Sequence, residues 1–126
     1  MDSDGVLAAN AAFYRAFAEA DLSAMDKLVA RDHAVAVIHP GWPVVSGRAD
    51  VMKTWRTIFA EGPQNVCPVD PEIFAYGDIA LVIVYEKTAG IFLAATNVFV
   101  REAGDWRLVH HQAGPIPAPA PDAPLM

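Results

Sequence analysis

Four histidines stand in this chain, at positions 33, 39, 110 and 111. An imidazole titrates near neutral pH, so each can take or give a proton where most side chains cannot. His39 closes a valine- and isoleucine-rich run and is followed by Pro40-Gly41-Trp42-Pro43. His110 and His111 close a second apolar run, and Asn97 lies in a third. The asparagine amide donates a hydrogen bond without needing an unusual pKa. Tyr14, Phe17, Trp42, Trp55 and Phe59 are of a type that walls a flat apolar ligand, although aromatics at helical spacing more often fill a core, as Trp55 and Phe59 would. No carboxylate or cysteine joins the histidines at ligand spacing. His33 and His39 would stand about 20 Å apart along a strand. No metal site is therefore expected. Cys67 is the single cysteine, with no activating partner in view, and reads as a small structural residue.

Local elements must position these groups. Ser3 or Asp4 is placed to cap a helix beginning near Gly5, with Leu7, Ala11, Tyr14, Phe17 and Ala18 at helical spacing through Ala20. Asp21 caps a second, short helix carrying Leu22, Met25, Leu28 and Val29. His33 to His39 reads as a strand. Gly47 precedes a third helix from Arg48 to about Glu61, stopped by Gly62-Pro63. Four strands follow: 65–75, interrupted by prolines, then 79–86, 91–101 and 106–112. Ala103-Gly104-Asp105 joins the last two as a hairpin. This order predicts an α+β fold, with three N-terminal helices on one face of a curved, mostly antiparallel sheet.

Neighbouring side chains on a strand point to opposite faces, so one of His110 and His111 faces each side. If the turn pairs Arg101 with Trp106, Asn97 lies opposite His110, which then faces the pocket. A one-residue bulge would exchange it for His111. The regular register, with His110 inward, is the expectation.

Composition narrows the function classes. The chain has 126 residues, 54% of them hydrophobic and 19% charged, with a net charge of −6. One domain is expected, spanning 1–115, with 116–126 a proline-rich flexible tail that cannot join a sheet ladder. Clustered Lys/Arg is missing, which argues against nucleic acid or an anionic membrane as partner. The acidic Met1-Asp2-Ser3-Asp4 start does not read as a secretory leader, and no apolar run is long enough to span a bilayer. A cytoplasmic protein is expected. Strands 79–85 and 91–100 are apolar at nearly every position, where a half-wetted strand would alternate. A homodimer that buries the outer sheet face would account for this.

Three motifs in this order carry a family resemblance. They are Phe13-Tyr14-Arg15-Ala16-Phe17 followed by Ala20-Asp21-Leu22; His39-Pro40-Gly41 followed by Gly47-Arg48-Ala49-Asp50-Val51; and the hairpin holding Gly104-Asp105-Trp106-Arg107 and Val109-His110-His111. Over roughly residues 5–115 the chain resembles the nuclear-transport-factor-2-like superfamily, in its SnoaL-like and ketosteroid-isomerase-like branch. The last motif also resembles the association domain of calcium/calmodulin-dependent kinase II.

The resemblance implies a cone-shaped pocket between sheet and helices, and dimers formed across the outer face. It places His39 where ketosteroid isomerases carry a catalytic aspartate before a proline, so His39 is the candidate base; the alternative is that it closes a turn. Asn97 matches the position of a protonated aspartic acid that stabilises an enolate oxygen, so its amide is the candidate oxyanion donor; the alternative is hydrogen bonding within the sheet. The donor tyrosine falls on Phe13, with Tyr14 one position on, an offset of about 100° around a helix. Two functions follow from the resemblance. One is a cofactor-independent isomerase, cyclase or dehydratase for a small apolar carbonyl compound, with catalytic His39, Asn97 and His110, and His111 with the aromatics shaping the pocket. The other is a non-catalytic ligand-binding or assembly module, since one fold hosts many functions.

Overall fold

The computed structural model describes residues 2–119. Helix α1 (Ser3–Glu19) opens two residues earlier than the sequence suggests, because Asp2 serves as N-cap, its carboxylate accepting from Gly5 N at 2.8 Å. Helix α2 (Leu22–Leu28) is capped by Asp21, as its position predicts. Strand β1 covers Ala36–Ile38 only. The expected strand from His33 is cut short because Glu102 captures that segment. Its carboxylate accepts from Arg31 N and Asp32 N, and from His33 Nδ1 at 2.8 Å, holding the chain as a loop.

Strand β2 (Val45–Ser46) was too short to be read from composition, and pairs antiparallel with β1. Gly47 then turns the chain at φ 91°, a conformation glycine adopts without strain. Helix α3 (Arg48–Phe59) ends two residues before Glu61. The remaining strands are β3 (Cys67–Tyr76), β4 (Ile79–Thr88), β5 (Ile91–Glu102) and β6 (Asp105–Ile116). They form one sheet of order β2-β1-β6-β5-β4-β3, antiparallel except for β1 against β6. The α+β class and the three-helix, curved-sheet architecture are as expected.

Two expectations about β6 are corrected. The strand continues to Ile116, which pairs with Phe92, and Pro115 stands opposite Leu93. Strand β1 pairs only as far as Gln112, so among the described residues β6 has an open edge beyond that point, where a proline needs no ladder donor. The rest of the expected tail lies largely at residues 120–126, outside the described residues.

The second correction concerns register. Arg101 does pair with Trp106, but a bulge between Val98 and Phe99 absorbs Val109, so Asn97 faces His111 rather than His110. His111 turns inward and His110 outward.

The core lies between the inner sheet face and the helices. Phe13, Met25, Trp55, Phe99 and Leu108 are completely buried there. Phe13 sits edge-to-face with Trp55 at 5.6 Å and with Phe17 at 5.3 Å, the favoured geometry for aromatic pairs. Along β4, Ala80, Val82 and Val84 point inward and are buried, while Ile79 and Ile83 point outward and are exposed. The outward positions are apolar as well, which is why the sequence shows no alternation.

Candidate active site

A cavity of about 390 Å³ lies between α3, the end of β1 and the inner face of β4, β5 and β6. Phe17, Ile58, Val66 and Leu93 give it apolar walls. His39, His111 and Glu86 bring ionisable groups to it, and Trp42, itself 40% exposed, stands on its rim beside His39. The two imidazole rings are 6.2 Å apart, centre to centre.

Hydrogen bonds fix the tautomer of each ring. Thr54 donates its hydroxyl to Val51 O at 2.6 Å, so its oxygen accepts from His39 Nε2 at 2.8 Å. His39 therefore carries its proton on Nε2 and keeps the lone pair on Nδ1. Asn97 Nδ2 donates to Asn10 Oδ1 at 2.9 Å and to Tyr14 Oη at 3.0 Å, so Asn97 Oδ1 accepts from His111 Nδ1 at 2.6 Å. His111 thus keeps its lone pair on Nε2. Among the described residues, neither lone-pair nitrogen has a protein partner.

Burial keeps both rings neutral. It pulls His39 down to about 4, and with the neighbouring His39 and His110 it pulls His111 down to about 3. Glu86 moves the other way. Burial raises its carboxyl, a shift moderated by the Tyr14 hydroxyl, which donates to Glu86 Oε2 at 2.6 Å. Burial, and then the Glu86 charge, push the Tyr14 hydroxyl up, so it stays protonated. The site joins two neutral bases to a carboxyl that holds its proton longer than usual.

The structure separates the sequence candidates into four groups. His39, Phe17, Trp42 and His111 reach the cavity. Asn97 and Tyr14 stand behind it, and both hydrogens of the Asn97 amide are already donated, so it has none left for a ligand oxygen. Trp55 and Phe59 belong to the core, with Trp55 edge-on to His39 at 4.6 Å. His110 points away from the cavity, and its Nδ1 donates to Ala36 O at 2.8 Å. The inward His110 is thus corrected to His111 by the bulge. Glu86 was missed. Its signal was present: it continues the inward phase of β4 after Ala80, Val82 and Val84, where a carboxylate has no structural reason to be buried.

A family profile for the SnoaL-like domain matches residues 6–119. The chain belongs to the SnoaL-like domain family. This SnoaL-like chain is similar to a Streptomyces avermitilis protein described as a candidate dehydratase of the NTF2-like family. The two share 30% identity over 93% of this chain and 97% of that one, with a TM-score of 0.85. It is also similar to a Thiobacillus denitrificans protein described as a candidate calcium/calmodulin-dependent kinase II association domain, at 36% identity over 87% and 94% of the two chains and a TM-score of 0.78. A candidate ketosteroid isomerase from Parabacteroides distasonis shares the fold at 16% identity, 86% and 85% coverage and a TM-score of 0.70. Among curated proteins, none matches the chain significantly. No helix among the described residues is long and apolar enough to cross a membrane.

Proposed function

We propose that this SnoaL-like protein is a cofactor-independent dehydratase for a small, largely apolar hydroxy-carbonyl compound. The observation that carries this reading is the pairing, around one cavity, of neutral imidazoles with a carboxyl whose proton is held unusually well. Environments that push the pKa values of two groups apart separate a base from an acid. His39 Nδ1 takes the proton from the carbon next to the carbonyl. Glu86 gives its proton to the hydroxyl on the adjacent carbon. The C–O bond breaks, a C=C bond forms and water leaves, and a proton returns from His39 to Glu86 through that water. Asn97 acts by holding His111, not by touching the substrate. Similarity to a candidate dehydratase at 30% identity supports the reaction class. A cytoplasmic location remains part of this reading, supported by the free thiol of Cys67.

The test is elimination of water from a panel of apolar β-hydroxy ketones, followed by enone absorbance. His39→Ala and Glu86→Gln should each lower kcat by about 10²-fold or more. Turnover unchanged in both variants would remove the pair from the mechanism.

A second reading, a homodimeric assembly module, rests on a different surface. Phe74, Ile79 and Ile83 expose apolar side chains on the outer sheet face. A similar protein at 36% identity is described as a candidate association domain. The two readings are compatible, because the cavity and the outer face lie on opposite sides of the sheet.

A further inference from the structure

The cavity's hydrogen-bonding character is set by what its polar groups have already spent. His39 has given its N–H to Thr54, and His111 has given its N–H to Asn97. Both rings therefore offer lone pairs to whatever enters. Burial keeps them from answering with a positive charge. Among the described residues lining the cavity there is no lysine or arginine, while Glu61 stands at the rim and Glu86 deeper in. The chain as a whole carries −6. An anion entering here would meet the two ring lone pairs and the Glu61 carboxylate, and only neutral donors such as the Thr88 hydroxyl and the Gln64 amide, with no cation to offset its lost hydration.

We propose that the substrate is an uncharged molecule carrying a hydroxyl that donates to His111 Nε2, and that carboxylates and phosphate esters are excluded. This specificity rests on the cavity being the ligand site of the preceding reading. His111 is the better hydroxyl anchor of the two rings. It is 2% exposed, held by the 2.6 Å bond it donates to a fully buried asparagine, and set away from the rim. His39, next to Trp42 at 5.1 Å, is left free for the reacting proton. The two rings then divide the work: His111 orients the substrate and His39 takes its proton. A site built around a hydroxyl discriminates strongly against an analogue that lacks it, because a buried acceptor is left without a partner.

Three probes with one ring system separate the parts of this proposal: naphthol, its methyl ether and naphthoate. Each is titrated into the full chain near neutral pH and followed by calorimetry and by tryptophan fluorescence. Naphthol should bind at least about tenfold more tightly than the ether, and naphthoate should show no binding. On addition of naphthol, the ¹⁵N resonance of His111 Nε2 should shift as an acceptor's does, while Nδ1 stays protonated. In His111→Phe the naphthol advantage over the ether should vanish. The ¹⁵N measurement uses the unaltered protein, so a variant that fails to fold leaves the test intact. Equal binding of naphthol and ether, or binding of naphthoate, would overturn the proposed specificity while leaving the cavity as a ligand site. Failure of all three probes to bind would overturn both.

Discussion

His111 donates from Nδ1 to Asn97 Oδ1 across 2.6 Å, between directly paired positions of β6 and β5. That bond is one link in a buried chain. Asn97 in turn donates to Tyr14, and Tyr14 to Glu86, so two groups that face the cavity are tied together behind its wall. Each link has a single direction of donation, and all the hydrogens of the Asn97 amide are taken. Buried networks of this kind are costly to interrupt, because each broken link leaves partners that water cannot reach.

Replacing Asn97 with leucine should therefore do more than remove one side chain. Asn10, Tyr14 and His111 would all lose a partner at once. The expected loss is about 3 kcal/mol or more in urea unfolding. The ¹⁵N spectrum of His111 should also change, from a single Nδ1-protonated form to a mixture of tautomers. A loss below about 1 kcal/mol would mean that the network contributes little.

The buried rings predict acid sensitivity, and the sign follows from linkage. Unfolded histidines take up protons near their ordinary value of 6.5, whereas His39 and His111 in the folded protein resist until about 4 and 3. The unfolded state binds more protons in that window, so stability is fully present above about 6.5 and falls as pH drops toward 4 and 3. Glu86 opposes this, since its raised carboxyl favours the folded state at low pH and loses that contribution as pH rises. Glu102 adds a later acid loss. Burial alone would raise it, but donation from Arg31 N, His33 and Asp32 N brings it to about 2, so its contribution disappears between 4.5 and 2. Urea midpoints measured across this range should fall steadily from neutral pH downward. In His39→Asn the decline between pH about 6.5 and 4 should be shallower. The same slope in both proteins would show that His39 titrates normally.

Phe13 is fully buried at the meeting of α1, α3 and the sheet, edge-to-face with three other aromatic rings. Phe13→Ala should cost about 3–5 kcal/mol, at the upper end for a core aromatic, because the surrounding rings are too stiff to close the void. Thermal unfolding reads this directly. A smaller change would mean that the cavity wall collapses into the space, and probe binding would then fall in parallel.

Ile83 tests the outer face. It is 41% exposed in the single chain, in the middle of β4. If that face carries a twin subunit, Ile83→Arg should convert a dimer to a monomer in sedimentation velocity at micromolar concentration, while helix and strand content by circular dichroism is unchanged. A wild-type protein that sediments as a monomer would exclude the second reading.

The three helices and the four long strands were legible in the sequence because each had a local cause. Asp21 announces α2, Gly47 opens α3, and Gly104 turns the last hairpin. What escaped depended on contacts between distant segments. The loop at His33 is made by Glu102, almost seventy residues away in sequence. The orientation of His110 and His111 turned on a bulge with no distinctive residue to mark it. Glu86 was visible as an interruption of β4's apolar inner phase, but an interruption alone does not reveal the cavity in front of it. Asn97 stood out as polar within an apolar strand, yet only its partners show that its amide is fully committed.

The bulge has one more effect. Counting back from His111, the extra residue is Val109, and the carbonyl of Leu108 beside it accepts from Ala30 N at 2.9 Å, where the chain leaves α2. One surplus residue thus sets His111 rather than His110 toward the cavity, immediately beside the carbonyl that ties the helical layer to β6. In this protein a cavity-facing imidazole and the tie that fastens its helical roof meet within four residues of one strand.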